Sequence, residues 1–163
     1  MGLDFFDSTS EQQIESFSKS VREMLTGYGL NDVEVKCINY EFNATFSVVT
    51  GSGDKYALRI NVNSTRTLGN IAGEIEFVNF VSRIPGIKVA RPVANKDDSF
   101  ISSIPHAESG QTLYGILYTW LEGEEIGDEP THEQLVTLGA AMARMHQSSR
   151  EFQLSEKAEL PTF

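Results

Sequence analysis

The sequence holds a single cysteine, Cys37, so it can form no intramolecular disulfide and no cysteine zinc site. Basic residues are also scarce. Thirteen Lys and Arg stand against 23 Asp and Glu, a formal net charge of -10. Contacts to nucleic-acid phosphates need clustered cations, so this chain is a poor candidate for them; its charge reads as serving solubility. There are three histidines, and no two have the spacing of metal ligands. No apolar run approaches the roughly 18 residues of a membrane span. The opening MGLDFFDSTS is acidic and lacks the basic and apolar regions of a secretory signal. These absences together predict a cytoplasmic chain with neither a membrane nor a nucleic acid as partner. In that setting the sequons Asn43-Ala44-Thr45 and Asn63-Ser64-Thr65 carry no meaning.

What is present suffices for one ordinary core: 163 residues, 40% of them hydrophobic. Thr9 to Gly27 predicts an amphipathic helix, with Ile14, Phe17, Val21, Met24 and Leu25 on one stripe, a cap among Ser8 to Ser10 and Gly27 at its end. Val33–Tyr40, Ala44–Thr50 and Lys55–Val62 read as strands. Between the last two, Gly51-Ser52-Gly53-Asp54 resembles a phosphate loop only superficially. No helix follows it, and a hairpin turn needing positive φ accounts for the glycines. Thr65–Ile84 predicts a second helix stopped by Pro85-Gly86. Val89–Ala94 and Ser99–Ser103 read as short strands about a turn at Asn95–Asp98, and Leu113–Leu121 as a long one. An acidic connector, Glu122–Pro130, leads to a capping box of Thr131 with Gln134 and a helix to about Arg150; Glu151–Phe163 shows no period. Short turns between neighbouring strands predict an α+β fold, an antiparallel sheet with helices packed on it.

One stretch, KYALRI, places a permanent cation inside an apolar strand. Alternation puts Tyr56, Leu58 and Ile60 on one face and Ala57 with Arg59 on the other. A buried cation needs an anion. On the second helix, at about 100° per residue, Glu74 falls within the apolar arc of Ile71, Ile75, Val78 and Val81, whereas Glu76 falls opposite, near Asn79 and Arg83. Glu74 is therefore expected to face the sheet and pair with Arg59, and Glu76 to be solvated. That pair is either a structural salt bridge or a device presenting Arg59 to a ligand anion, with Ala57 leaving room for something flat. His146 shares the apolar arc of the last helix with Leu138, Met142 and Met145 and reads as a hydrogen-bonded structural residue; His106 and His132 read as loop and helix-start residues.

A strand ending in a cation, followed by a helix supplying its glutamate, is the nucleotide grip of protein kinases; here Tyr56-Ala57-Leu58-Arg59 takes that place. Tyr118-Thr119-Trp120-Leu121-Glu122-Gly123 resembles the hinge between kinase lobes, and Leu135–His146 resembles the helix after it. With Tyr40–Val48, the combination resembles the aminoglycoside phosphotransferase family, which also holds homoserine, choline and fructosamine kinases. The resemblance runs from about Tyr40 to His146. It implies a kinase-like N-terminal lobe over residues 1–121 with a helix of the αC type, a hinge and connector over 118–130, and the start of a second lobe over 131–163.

The roles it implies are these. Arg59 would hold the α- and β-phosphates of ATP, oriented by Glu74; Arg for the kinase Lys is a departure, though its planar fork grips phosphate bidentately. Ala57 would pack on adenine, Thr119 and Leu121 would read its edge through their backbone, and Tyr118 would sit behind it. The turn from Glu41 to Thr45 would cover the phosphates; lacking glycine, it relies on Asn43 for unusual backbone or a polar contact. The family's His-Gly-Asp loop and later metal-binding Asp have no counterpart, since no histidine here precedes an Asp by two. The expectation is the nucleotide-binding half of an ATP-dependent small-molecule kinase, inactive alone. Its catalytic residues, its Mg2+ ligands and the contacts to a hydroxyl acceptor would lie in a missing lobe, and self-association could occur through surface left exposed. The alternatives are a stand-alone module binding nucleotide or protein, and an unrelated α+β domain.

Overall fold

The structure, a computed structural model, describes residues 5–62 and 66–161. The Asn63 sequon and the expected helix start at Thr65 lie outside the described residues. The chain divides into two compact units, Met1–Thr65 with Pro92–Trp120, and Arg66–Arg91 with Leu121–Phe163.

The first unit carries a five-stranded antiparallel sheet, as the sequence predicts. Its strands are β1 (Val33–Tyr40), β2 (Asn43–Thr50), β3 (Lys55–Asn61), β4 (Ser102–His106) and β5 (Gln111–Thr119), in the order β1-β2-β3-β5-β4. Gly51–Asp54 forms the β2–β3 hairpin turn, with Gly53 at φ 91° and Thr50 Oγ1, Ser52 Oγ and Asp54 Oδ2 hydrogen-bonded across it. The turn reading of the glycines holds.

Two helices cover one face of this sheet, α1 (Ser10–Ser16) and α2 (Ser18–Gly27). The sequence predicts them as one. Ser16 Oγ donates to the Gln13 carbonyl at 2.7 Å, and the Phe17 amide turns instead to the Ile14 carbonyl at 3.2 Å, which tightens the turn and breaks the helix there. The predicted stripe survives the break. Phe17, Val21, Met24 and Leu25 are buried against Ala44, Phe46, Val48, Leu58, Ile60, Leu113 and Leu117. Thr9 and Gln12 form the capping box. The end is a Schellman motif centred on Gly29, not Gly27: Gly29 has φ 82°, its amide reaches the Thr26 carbonyl, and the Leu30 amide reaches that of Leu25.

Val89–Ala94 is not a strand. Pro92 makes one isolated bridge to Tyr118 and has no N–H to extend it; the Val93 amide then bonds the Leu117 carbonyl at 2.8 Å. The next strand begins three residues later than predicted, at Ser102, and includes Pro105, which an edge strand tolerates. The polar turn between is real: Asn95 Oδ1 accepts from the amides of Asp97 and Ser99, each at 3.0 Å. His106 is not a loop residue. It ends β4 at 3% exposure, between the rings of Phe5 and Phe17.

The second unit carries α3 (Leu68–Val81) and α4 (His132–Ser148), capped by Thr67 with Asn70 and by Thr131 with Gln134. α3 is shorter than the predicted Thr65–Ile84. α4 buries none of its residues: Leu135, Val136, Leu138 and Met142 are all exposed. His146 is exposed as well, so the structural role expected for it is not met. Among the described residues no helix is long and apolar enough to cross a membrane.

Candidate functional site

The register of the three central strands places the candidate residues in rows. Ser47, Ala57 and Tyr118 lie side by side across β2, β3 and β5; Thr45, Arg59 and Ile116 form the next row; Asn43, Asn61 and Tyr114 form the third. Rows two residues apart on one face are separated by roughly 6.5–7 Å. The intervening rows, Phe46–Leu58–Leu117 and Ala44–Ile60–Gly115, point to the opposite face and belong to the core under α1 and α2. A Cβ at Gly115 would run into Sδ of the buried Met24, so a larger residue there would have to displace that side chain. One face of the sheet is thus committed to packing. The other face carries Asn43, Ala57, Arg59 and Tyr118, the residues expected at a ligand site, together with Ile116, which is fully buried beside Arg59.

Arg59 is partly buried, and its guanidinium lies 5.4 Å from the centroid of the Tyr118 ring. Tyr118 is itself buried at 8% exposure. The ring face thus meets the cation at cation–π distance. Ala57, beside Tyr118, adds almost no bulk, so the row nearest the end of β5 is shallow and the middle row is cationic.

Asn43 is the first residue of β2, and Asp98 is the sole non-glycine residue with positive φ among the described residues. The unusual backbone expected at Asn43 is therefore absent, and a polar side chain remains. Its Oδ1 is buried without a hydrogen-bond partner, and so is Oδ1 of Asn61 directly opposite. Asn61, 9% exposed, has no place in the sequence expectation, although its spacing of two from Arg59 puts it on the same face.

In the second unit, Glu74 is partly buried, with its side chain 24% exposed, and accepts from Arg66 Nη1 at 3.5 Å. Glu76 reaches solvent as expected, and it also holds a partner. Its Oε2 accepts from the Ser155 amide at 2.9 Å and its Oε1 from Ser155 Oγ at 2.5 Å. These bonds, the hydroxyl first and the amide second, hold the Glu76 carboxyl below its ordinary value. Because the folded value is depressed, the stabilisation is present above the unfolded value, about 4.3, and is lost as pH falls through the lower folded one. Protection of the Ser155 amide against exchange is expected to fall as pH drops below the ordinary carboxylate range, and to be independent of that titration in Glu76→Gln, whose neutral oxygen still accepts. The same pH dependence of protection in the two proteins would contradict the assignment.

Residues 40–161 match the phosphotransferase enzyme family. The chain belongs to this family. Solved structures agree on the fold. The amicoumacin kinase hAmiN, in complex with AMP-PNP, Ca2+ and Ami, is 22% identical with a TM-score of 0.71 over 91% of this chain and 45% of its own. The microcompartment-associated aminopropanol kinase is 19% identical with a TM-score of 0.70 over 84% and 42%. The chain thus spans less than half the length of these two structures. No curated protein matches it in sequence.

The other residues expected of a phosphotransferase site are placed as follows. Thr119 ends β5 opposite Tyr56 and shares the core-side face, which leaves its backbone as its possible contribution. Trp120 follows, with Lys55 Nζ 5.8 Å from its ring. Leu121, half exposed, opens the second unit. Among the described residues no group of three or more His, Cys, Asp or Glu could hold a metal ion. Burial pushes the Cys37 thiol up, against a weaker opposing backbone hydrogen bond at Asn39, and so disfavours its thiolate.

Proposed function

We propose that the chain is the nucleotide-binding half of an ATP-dependent phosphotransferase acting on a hydroxyl of a small molecule. The observation that carries this is the single sheet face on which Ala57 with Tyr118, then Arg59, then Asn43 succeed one another along the strands. A nucleotide has the same order of needs: a flat apolar base, then negative charge. Arg59 supplies the charge, and the orphaned Asn oxygens mark a polar end that is not self-sufficient.

In this reading Ala57 and Tyr118 flank the adenine, and the Thr119 carbonyl and Leu121 amide meet its edge. Arg59 neutralises the α- and β-phosphates. Mg2+ neutralises the polyphosphate when bound. The described residues offer it no carboxylate cluster; two neutral oxygens suit its water shell rather than its inner sphere, and Mg2+ characteristically keeps several waters. The acceptor oxygen attacks the γ-phosphorus as the bond to the β-phosphate oxygen breaks, and a base takes the hydroxyl proton. We place that base, the inner-sphere metal ligands and the acceptor contacts outside these 163 residues.

The test is an amide-resolved titration of the 163-residue chain with ATP and Mg2+. Perturbations are expected at Ala57, Arg59, Tyr118, Thr119 and Leu121, with weak affinity and no turnover. Perturbations confined to other residues would overturn the nucleotide reading. Phosphorylation of any small alcohol by the chain alone would overturn its division of labour.

A further inference from the structure

We infer that Asn61, with Asn43 opposite it, is a further binding residue for the hydrated divalent cation that accompanies a nucleoside triphosphate; the inference rests on the nucleotide reading above. Asn43 and Asn61 are direct cross-strand partners on β2 and β3, so their side chains stand about 4.5–5.5 Å apart at Cβ on one face. Both Oδ1 atoms are buried and lack a donor. One orphaned carbonyl oxygen is uncommon in a folded protein, because a buried acceptor without a donor loses its bonds to water and gains none. Two on facing residues, in the row next to Arg59, are a matched pair of acceptors waiting for a donor.

The chemistry of that donor is narrow. A triphosphate carries only acceptors at neutral pH, so it cannot satisfy a carboxamide oxygen. Arg59 already serves its charge. Water bound to a divalent cation is a strong donor because the cation polarises its O–H bonds. The row also lies in the correct order. The shallow Ala57–Tyr118 row is followed by Arg59 and then by Asn61, so a ligand with its base on the first row and its inner phosphates at the second carries its terminal phosphate and cation towards the third.

The experiment uses the whole 163-residue chain and follows the side-chain amide resonances of Asn43 and Asn61 together with the backbone amides. ATP with Mg2+ is expected to move both carboxamides, whereas AMP moves Ala57 and Tyr118 but leaves the carboxamides in place. Asn61→Ala is expected to weaken binding of ATP with Mg2+ about tenfold, the loss of one bond to a charged group, and to leave AMP binding within twofold. Asn61→Asp keeps the acceptor and adds a charge. It is expected to retain affinity with Mg2+ and to lose it without the metal. Where Asn61→Ala fails to fold, Asn61→Asp decides. Ala57 and Tyr118 responding to ATP while the carboxamides stay fixed, or an Asn61→Asp protein indifferent to Mg2+, overturns this inference alone. No response of Ala57, Arg59 or Tyr118 to any nucleotide overturns the nucleotide reading with it.

Discussion

Replacing Arg59 with alanine is expected to weaken ATP binding by ten- to a hundredfold, the loss of charge-assisted bonds worth about 1.5–3 kcal/mol, while the sheet stays folded. The two halves of this expectation have separate causes. Arg59 sits on the face of β3 opposite the core, so its truncation removes none of the packing of Leu58 and Ile60. It does remove the cation held over Tyr118 at 5.4 Å. Arg59→Lys sharpens the test, because lysine keeps the charge but not the planar fork. An intermediate loss is expected. Equal affinity for Arg59→Lys and the native chain would mean that charge alone matters; unchanged affinity in Arg59→Ala would remove Arg59 from the site. A double-mutant cycle with Glu74→Gln asks whether the two act together. Coupling would give Glu74 the orienting role, and simple additivity would leave it with Arg66, 3.5 Å away.

How far the sequence announces this arrangement depends on whether a local signal competes with a tertiary one. β1, β2 and β3 are legible within a residue or so, because β-branched alternation and a Gly-rich turn agree with the ladder that forms. Val89–Ala94 has the same composition and yet makes one bridge, because Pro92 cannot donate onward. β4 is displaced to Ser102–His106 for the converse reason: Pro105 argues against a strand unless the strand is at an edge, and edge position is a property of the whole sheet. The break at Phe17 turns on one serine hydroxyl competing for a carbonyl, invisible to periodicity.

At the site, the facing of Arg59 and Ala57 follows from alternation alone. The opposition of Asn43 and Asn61 does not, since it needs the β2–β3 register. The partner of Glu76 is hidden for the same kind of reason. Helical phase correctly sets Glu76 apart from Glu74, but its partner, Ser155, lies 79 residues away in a segment with no period of its own.

That segment gives the second large effect. Gly73→Ala is expected to detach residues 152–161 from α3, although alanine in place of a mid-helix glycine ordinarily stabilises by up to about 1 kcal/mol. A Cβ at Gly73 would run into the carbonyl oxygen of Glu159 and lie 3.2 Å from its carbonyl carbon. The obstacle is backbone, and it is held in place: the Glu159 amide bonds the Gly69 carbonyl at 2.9 Å, and Thr67 Oγ1 donates to Glu159 Oε2 at 3.3 Å. Further along, Phe152 meets Phe77 and Phe80 at 5.2 Å each, and Ser155 meets Glu76. Lifting Glu159 strains this whole line of contacts, so the net change is expected to be a loss of about 1–3 kcal/mol, as for other overpacked sites. Gly69→Ala is the internal control. Its Cβ would meet Glu159 at 2.9 Å, but at the side-chain carboxyl, which can swing aside. Limited proteolysis and thermal melting of the two variants separate the cases: early cleavage within 152–161 and a lowered Tm for Gly73→Ala, near-native behaviour for Gly69→Ala. A raised Tm in Gly73→Ala without new cleavage would show that helix propensity outweighs the contact, and that Glu159 does not hold the segment on α3.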